Sequence, residues 1–215
     1  MKKNSLFIIC QIVLFISVQA QNSVKVLAEC SVSYTVALID VDADKKEDTS
    51  LINAITKTVY IKGNQSRVEV INPSFSQSVL FDKASGNAVI LREIGNNKFI
   101  TKLNNLKWKA QNSKYDGAIL NTTSETKTIL GYTCKKAVLT LKDSSSFTIF
   151  YAVSIVPSVK EFEYQFKDIS GFVLEYETQE LKGQKVKYTA TKINLNPVSA
   201  SKFEIPTSGY RVLEQ

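Results

Sequence analysis

Asp40, Asp42 and Asp44 stand at alternate positions with Asp48 further on, the spacing of the first, third, fifth and ninth positions of a calcium-binding loop. The sixth position is Lys45, where the sharp turn of such a loop needs glycine. The twelfth is Leu51, where a bidentate glutamate should close the site. Lys45 and Lys46 also offset the acidic charge, so the segment reads as a solvated strand end running into a helix N-terminus. Ser144, Ser145 and Ser146 beside Lys142 have the residue types of a Ser–Lys nucleophile. A lysine base needs burial to lose its proton, and this polar run reads as a hairpin loop instead. Glu161, Glu163, Glu175 and Glu177 offer carboxylates, but on a strand Glu175 and Glu177 share one face flanking Tyr176, as at an edge or on a solvated side.

The 215 residues contain no histidine. That removes the commonest general base, the Ser–His and Cys–His pairs and every histidine-based zinc site. There is no phosphate-binding glycine loop, no dinucleotide fingerprint and no CxxC. The expectation is a protein that is not an enzyme and holds no metal or cofactor. Asn64-Gln65-Ser66 and Asn121-Thr122-Thr123 match glycosylation acceptors, which matter only in a eukaryotic secretory pathway.

Residues 1–20 carry an address. Met1-Lys2-Lys3 is a basic head, Leu6 to Val18 an apolar stretch broken only by Gln11 and Ser17, and Val18-Gln19-Ala20 a small-residue cleavage site before Gln21. This is the pattern of a secretory signal and falls short of the ~20 apolar residues of a membrane span. Cys10 lies within the apolar stretch and is discarded with it. The expected mature domain, 21–215, has no transmembrane segment. Its formal charge falls from +7 to +5 with the loss of Lys2 and Lys3, and its lysines are scattered, so nucleic acid is not an expected partner. Cys30 and Cys134 remain. An oxidising compartment permits a disulfide between them, closing a loop of about 100 residues worth about 4–5 kcal/mol; two isolated buried thiols fit the sequence equally well.

The elements that position these groups are strands. From Val24 to Leu38 the even positions are mostly apolar (Val24, Val26, Ala28, Cys30, Val32, Tyr34, Val36, Leu38) and the odd positions carry Lys25, Glu29, Ser31, Ser33 and Thr35, a long half-buried strand. Similar segments follow at 55–62, 67–71, 75–82, 88–94, 98–103, 119–129, 133–141, 147–153, 172–177 and 186–195. The separators are turn chemistry: Lys62-Gly63-Asn64, Asn72-Pro73-Ser74, Ala84-Ser85-Gly86-Asn87, Gly95-Asn96-Asn97, Lys142 to Ser146 and Leu181-Lys182-Gly183. Short links imply antiparallel neighbours. Helices are few: Asp44 with Glu47 resembles a capping box, Asn104 or Asn105 caps a turn through Leu106 and Trp108, and a last turn lies near Val198–Lys202. The fold class is therefore mainly β (α+β), one large antiparallel sheet with a few short helices in a single domain.

The second face of that sheet is unusually apolar, with Leu27, Ala37, Ile39, Tyr60, Leu80, Val89, Leu91, Phe150 and Ala152. Either helices cover it or the sheet curls around an apolar cavity. Tyr60, Leu80, Leu91 and Phe150 of this face, together with Tyr176 as a large amphipathic filler, are the candidate ligand-binding residues.

The second half of the chain resembles a known group. Thr128-Ile129-Leu130-Gly131-Tyr132-Thr133-Cys134-Lys135-Lys136-Ala137, Phe147-Thr148-Ile149-Phe150-Tyr151, Ile155-Val156-Pro157, Ser170-Gly171-Phe172-Val173-Leu174-Glu175-Tyr176, Tyr188-Thr189-Ala190-Thr191-Lys192-Ile193 and Phe203-Glu204-Ile205-Pro206-Thr207-Ser208-Gly209-Tyr210 follow in that order. Together they resemble exported proteins of unknown function related to the GLPGLI family, common in Bacteroidetes. The namesake run is represented only by Ser170-Gly171-Phe172-Val173-Leu174. That group is similar to the periplasmic lipoprotein carrier and its outer-membrane receptor. The resemblance implies a curved antiparallel sheet or half-barrel whose concave side is covered by helices and holds acyl chains; no catalytic residues carry over. The residues themselves have structural uses: Gly131 and Gly171 allow tight turns into strands, Pro206 and Gly209 shape a closing loop, and Tyr132, Tyr176 and Tyr210 fill a rim or cavity wall. The expected function is a non-catalytic periplasmic or outer-membrane-associated binding protein, holding a lipid or lipoprotein acyl chain in the concavity. The alternative is an envelope protein–protein interaction module without a ligand cavity.

Overall fold

Apolar residues at every second position, separated by two- to five-residue turns, build strands that mostly pair with their neighbours in sequence. The computed structural model describes residues 23–39, 54–179 and 185–214. The signal segment 1–20, the acidic run from Asp40 to Asp44 with Asp48, the Asp44–Glu47 capping box and the Leu181-Lys182-Gly183 turn lie outside the described residues.

The strands are β1 (Lys25–Leu27), β2 (Glu29–Leu38), β3 (Thr56–Lys62), β4 (Gln65–Asn72), β5 (Phe75–Asp82), β6 (Asn87–Ile94), β7 (Asn97–Leu103), β8 (Ile119–Ile129), β9 (Tyr132–Thr140), β10 (Ser146–Ala152), β11 (Ile155–Pro157), β12 (Phe172–Gln179), β13 (Lys185–Asn194) and β14 (Arg211–Val212). Twelve of them form one open sheet in the order β14-β7-β6-β5-β4-β3-β2-β13-β12-β10-β9-β8. Its pairs are antiparallel except β14 against β7; β1 and β11 make a separate parallel pair. The fold is thus the expected large antiparallel sheet, curved and unclosed, with one short helix α1 (Asn105–Gln111) and a few 3₁₀ turns among the described residues. Asn104 caps α1, accepting from the Lys107 N–H at 2.9 Å, and Trp108 is its buried residue. Among the described residues no helix is long and apolar enough to cross a membrane.

Curvature follows from side-chain reach. Lys57 on β3 hydrogen-bonds Tyr176 on β12, three strand positions away. A flat sheet would hold their backbones ~14 Å apart. Tyr34 on β2 donates to the Val173 carbonyl on β12 at 2.8 Å, spanning β13. The inner, concave face carries Lys57, Val59, Ile61, Phe81, Ile90, Leu103 and Tyr176, all buried. It is covered by α1 and by the segment 158–169: Trp108 packs on Phe81 with ring centroids 5.9 Å apart, and Phe166 on Tyr176 at 5.0 Å.

Two expectations need correction, and of the two readings left open for Cys30 and Cys134 the isolated thiols are the ones found. The long strand from Val24 to Leu38 is two strands, because the backbone breaks at Ala28; Leu27 is buried while Val26 is exposed, so the buried parity changes from odd to even across the break. This lets β1 leave the large sheet and pair with β11. Cys30 and Cys134 are both free and buried. Four strand positions separate β2 from β9, ~19 Å along the sheet against the ~7 Å limit for a disulfide. Burial pushes the Cys30 thiol up to about 12 and the Cys134 thiol up to about 11, so both stay protonated. Finally, Glu175 is not on a solvated side: β12 lies between β13 and β10, and Glu175 is 5% exposed.

Turn chemistry matches the ladder. Leu130 and Gly131, with φ of 50° and 80°, make the two-residue hairpin between β8 and β9. Gly171 serves close approach rather than a turn: a Cβ there would lie 2.1 Å from the Ala152 carbonyl oxygen. Gly171→Ala should therefore destabilise the protein by about 3 kcal/mol by overpacking. Urea unfolding checks this, and an unchanged midpoint would show that β10 and β12 do not pack as closely as described.

Candidate functional site

A cation buried in the core is the sharpest chemical feature. Lys57 occupies the inward parity of Val59 and Ile61 on β3 and is 2% exposed. Its ammonium lies 2.7 Å from Glu163 Oε2, donates to the Tyr176 hydroxyl, and sits 4.7 Å from the ring centroids of both Tyr176 and Tyr188 and 5.7 Å from that of Tyr34. Tyr176 and Tyr188 stack at 4.9 Å. Desolvation, reinforced by the Glu163 charge, raises the Tyr34 and Tyr176 hydroxyls well above the ordinary tyrosine value, so both are neutral donors. Glu163 belongs to the covering segment, so the ion pair ties that segment to the sheet. Buried under aromatic rings and paired with Glu163, the lysine holds the covering segment against the sheet.

The same covering segment fills the concavity. Phe162, Phe166 and Ile169 are nearly fully buried, with Phe162 5.4 Å from Phe166 and 5.5 Å from Phe172. A hollow of about 250 Å³ remains toward β8 and β9, between Tyr115, Leu120, Leu139, Tyr164 and Ile169. The concave space expected for a ligand is thus mostly occupied by the protein's own side chains.

The larger space lies on the outer face. Residues 196–214 run back over β3–β7 as a C-terminal arm. Its anchors are polar: the Glu29 carboxylate accepts from the Val198 N–H at 2.7 Å and from Lys62; Arg67 donates to the Lys202 carbonyl at 2.8 Å; Lys202 sits 4.5 Å from the Tyr60 ring centroid; Tyr210 donates to Glu93; and β14 pairs with β7. Beneath it Leu80, Leu91 and Ile100 form a small buried cluster, joined by Val89 and Tyr210. Where the arm stands off the sheet, a cavity of about 600 Å³ opens over the ends of β4–β7, with Leu80, Val89, Phe203 and Ile205, and Phe81, Ala88 and Leu103 of the inward parity, as apolar lining and Gln65, Asp82, Lys102, Asn104 and Lys107 among its polar residues.

The five residues suggested for ligand binding fall in three places. Leu80 lines the outer cavity, Leu91 packs beside it in the same cluster, and Tyr60 lies under Lys202. Tyr176 belongs to the lysine cage. Phe150 pairs with Glu175 across the β10–β12 ladder, where Lys127 clamps the Glu175 carboxylate at 2.7 and 2.9 Å and lies 5.4 Å from the Phe150 ring centroid. Sequence reasoning passed over Lys57, although a charge at an inward parity on an otherwise apolar strand face is a legible signal. It also missed Phe203 and Ile205 as cavity lining, since the arm has no periodicity of its own. Ser144 and Ser145 lie in the β9–β10 loop, where Asp143 accepts from the Ser145 N–H and hydroxyl, and Ser146 opens β10. Among the described residues, no group of three or more Cys, Asp or Glu side chains could hold a metal ion.

Two outcomes follow. Glu163→Gln strands a buried ammonium and should cost about 3–5 kcal/mol, whereas Lys57→Met combined with Glu163→Gln should recover most of that loss; urea unfolding of both variants checks it, and equal losses would mean the charges do not act on each other. The arm should loosen in acid. Hydrogen bonds from Lys62 and the Val198 N–H hold Glu29, and one from Tyr210 holds Glu93, below the ordinary value of 4.5. Their anchoring is therefore complete above that pH and lost as pH falls through the lowered values. Arg211 and Val212 amide resonances should move below pH 4.5 and stay fixed from pH 5 to 7.

No protein-family model matches the chain, and no curated protein matches it. Among solved structures, an uncharacterized conserved protein from Thermus thermophilus is similar at TM-score 0.50 and 9% identity, over 90% of this chain and 93% of that one. PNGF-II in its P21 crystal form is similar at TM-score 0.50 and 14% identity over 87% of this chain; the match spans only 31% of the PNGF-II chain. A LolA superfamily protein from Nitrosomonas europaea matches at TM-score 0.33 and 12% identity, over 86% of this chain and 94% of that one. At such identities the two matches at 0.50 speak for a shared sheet architecture and nothing more.

Proposed function

We propose that this chain is a non-catalytic binding protein of the bacterial envelope, a single domain from Gln21 exported on residues 1–20, which holds an apolar ligand between its outer sheet face and its C-terminal arm. The observation that carries the reading is the cavity of about 600 Å³ lined by Leu80, Val89, Phe203 and Ile205. That volume lies in the ~300–1,000 Å³ range of small-ligand pockets, and pockets of this kind are mostly apolar with a few placed polar groups. Each methylene buried there contributes about 0.8 kcal/mol, so a short acyl chain suffices for useful affinity. The resemblance to the GLPGLI-related group and to lipoprotein carriers supports the choice of lipid or acyl chain as ligand class. It places the ligand on the concave side, however, where Phe162, Phe166 and Ile169 stand.

A fluorescent fatty acid should bind saturably with one site per chain. Ile205→Arg, on an exposed part of the arm, should weaken uptake at least tenfold without changing the unfolding midpoint. Leu80→Arg should do the same at some cost in stability. Absence of saturable uptake, together with capture of a specific envelope protein, would favour the interaction-module reading instead.

A further inference from the structure

We infer that the guest of the cavity under the arm carries an uncharged oxygen on its chain, a hydroxyl or an ester or amide carbonyl, and that Ser66 receives it. The inference rests on the binding reading above and adds the chemistry of the guest's polar group. One transverse row of side chains runs along the lining. Ser66 on β4 pairs with Phe81 on β5, Phe81 with Ala88 on β6, and Ala88 with Leu103 on β7. All four line the cavity. Three strand spacings make the row ~14 Å long, and it is apolar except at its β4 end. There Ser66 is 1% exposed, and its Oγ has no hydrogen-bond partner. Its neighbours across the two ladders are Ile61 and Phe81, whose side chains have no polar atom to offer. A buried hydroxyl left in this way costs free energy, which a partner brought by the guest recovers.

The other polar side chains of the lining are engaged or reach water. Asp82 Oδ1 accepts from both the N–H and the hydroxyl of Ser85, at 2.7 and 3.0 Å. Asn87 Oδ1 accepts from the Asn105 N–H at 3.1 Å, and Asn104 Oδ1 from the Lys107 N–H at 2.9 Å. Gln65, Lys102 and Lys107 are exposed. Among the described residues, Ser66 is thus the buried lining hydroxyl that a guest can satisfy. A serine hydroxyl has one donor and two acceptor lone pairs, so it serves an alcohol or a carbonyl equally well. An ionised group fits this place badly. The row holds no opposite charge, and burying an ion there costs far more than one hydrogen bond returns. A carboxylate therefore stays at the exposed part of the lining, and a fatty acid anion binds through its hydrocarbon without engaging Ser66.

Displacement of the fluorescent fatty acid from the full mature chain tests this with four guests: 1-octanol, methyl octanoate, 1-chlorooctane and dodecanoate. Ser66→Ala should weaken octanol and methyl octanoate about five- to tenfold, the scale of one net hydrogen bond. It should leave chlorooctane and dodecanoate unchanged within about twofold. Ser85→Ala removes a lining hydroxyl that Asp82 already holds, and should leave the order of the four guests as it was. The unfolding midpoint of ligand-free Ser66→Ala should stay fixed or rise, because no hydrogen bond within the protein is lost. A loss confined to one of the two oxygen-bearing guests would name which of hydroxyl and carbonyl the site takes. An equal loss for all four guests, no loss for any, or a loss that follows Ser85→Ala would overturn Ser66 as the receiving group while keeping the apolar site. A fall in the ligand-free midpoint would do the same, by showing the hydroxyl already satisfied within the fold. No displacement by any guest, or displacement indifferent to Ile205→Arg, would overturn the apolar site itself.

Discussion

The structure depends on a charge that cannot reach water. Lys57 is buried beneath three tyrosine rings, and an ammonium in that position costs several kcal/mol unless it is paired and hydrogen-bonded. Glu163 and Tyr176 supply the pairing from a covering segment and from a strand three positions away. Meeting all these partners at once requires a curled sheet with its cover in place. The aromatic side chains of the cover then occupy the concavity, with Phe166 packed on Tyr176 and Phe162 on Phe172.

A filled concave side changes where the molecule can bind anything. The outer face of β4–β7 carries Leu80, Val89, Leu91 and Ile100, too much hydrocarbon to leave in water. The chain covers it with its own C-terminal arm, but the attachment is mostly polar, through Glu29, Arg67, Lys202 and Glu93 at separate points. Polar anchors spaced along an arm hold it over the sheet without filling the space between, and that is where the cavity of about 600 Å³ arises.

The strands and their turns were legible because alternation and turn residues are local properties. Lys62-Gly63-Asn64, Asn72-Pro73-Ser74 and Gly95-Asn96-Asn97 all stand at hairpin ends, and Asn104 caps its helix as its spacing indicates. The break at Ala28 was hidden, since both parities there carry apolar side chains and only pairing with β11 selects between them. Glu175 read as solvated because its strand's place in the sheet, between β13 and β10, is a matter of topology that periodicity does not encode. The apolar second face was visible as a pattern, and Leu80 and Leu91 were rightly grouped by it. That the arm rather than a helix covers them was not visible, because residues 196–214 hold their place by side-chain contacts to distant strands.

The most direct test of the account is the position of a bound alkyl chain. Nuclear Overhauser contacts between dodecanoate and the methyl groups of the protein should connect its methylenes to Leu80, Val89 and Ile205. Contacts to Ile169 and the rings of Phe162 and Phe166 instead would put the ligand on the concave side and contradict the assignment of the outer cavity as the binding site.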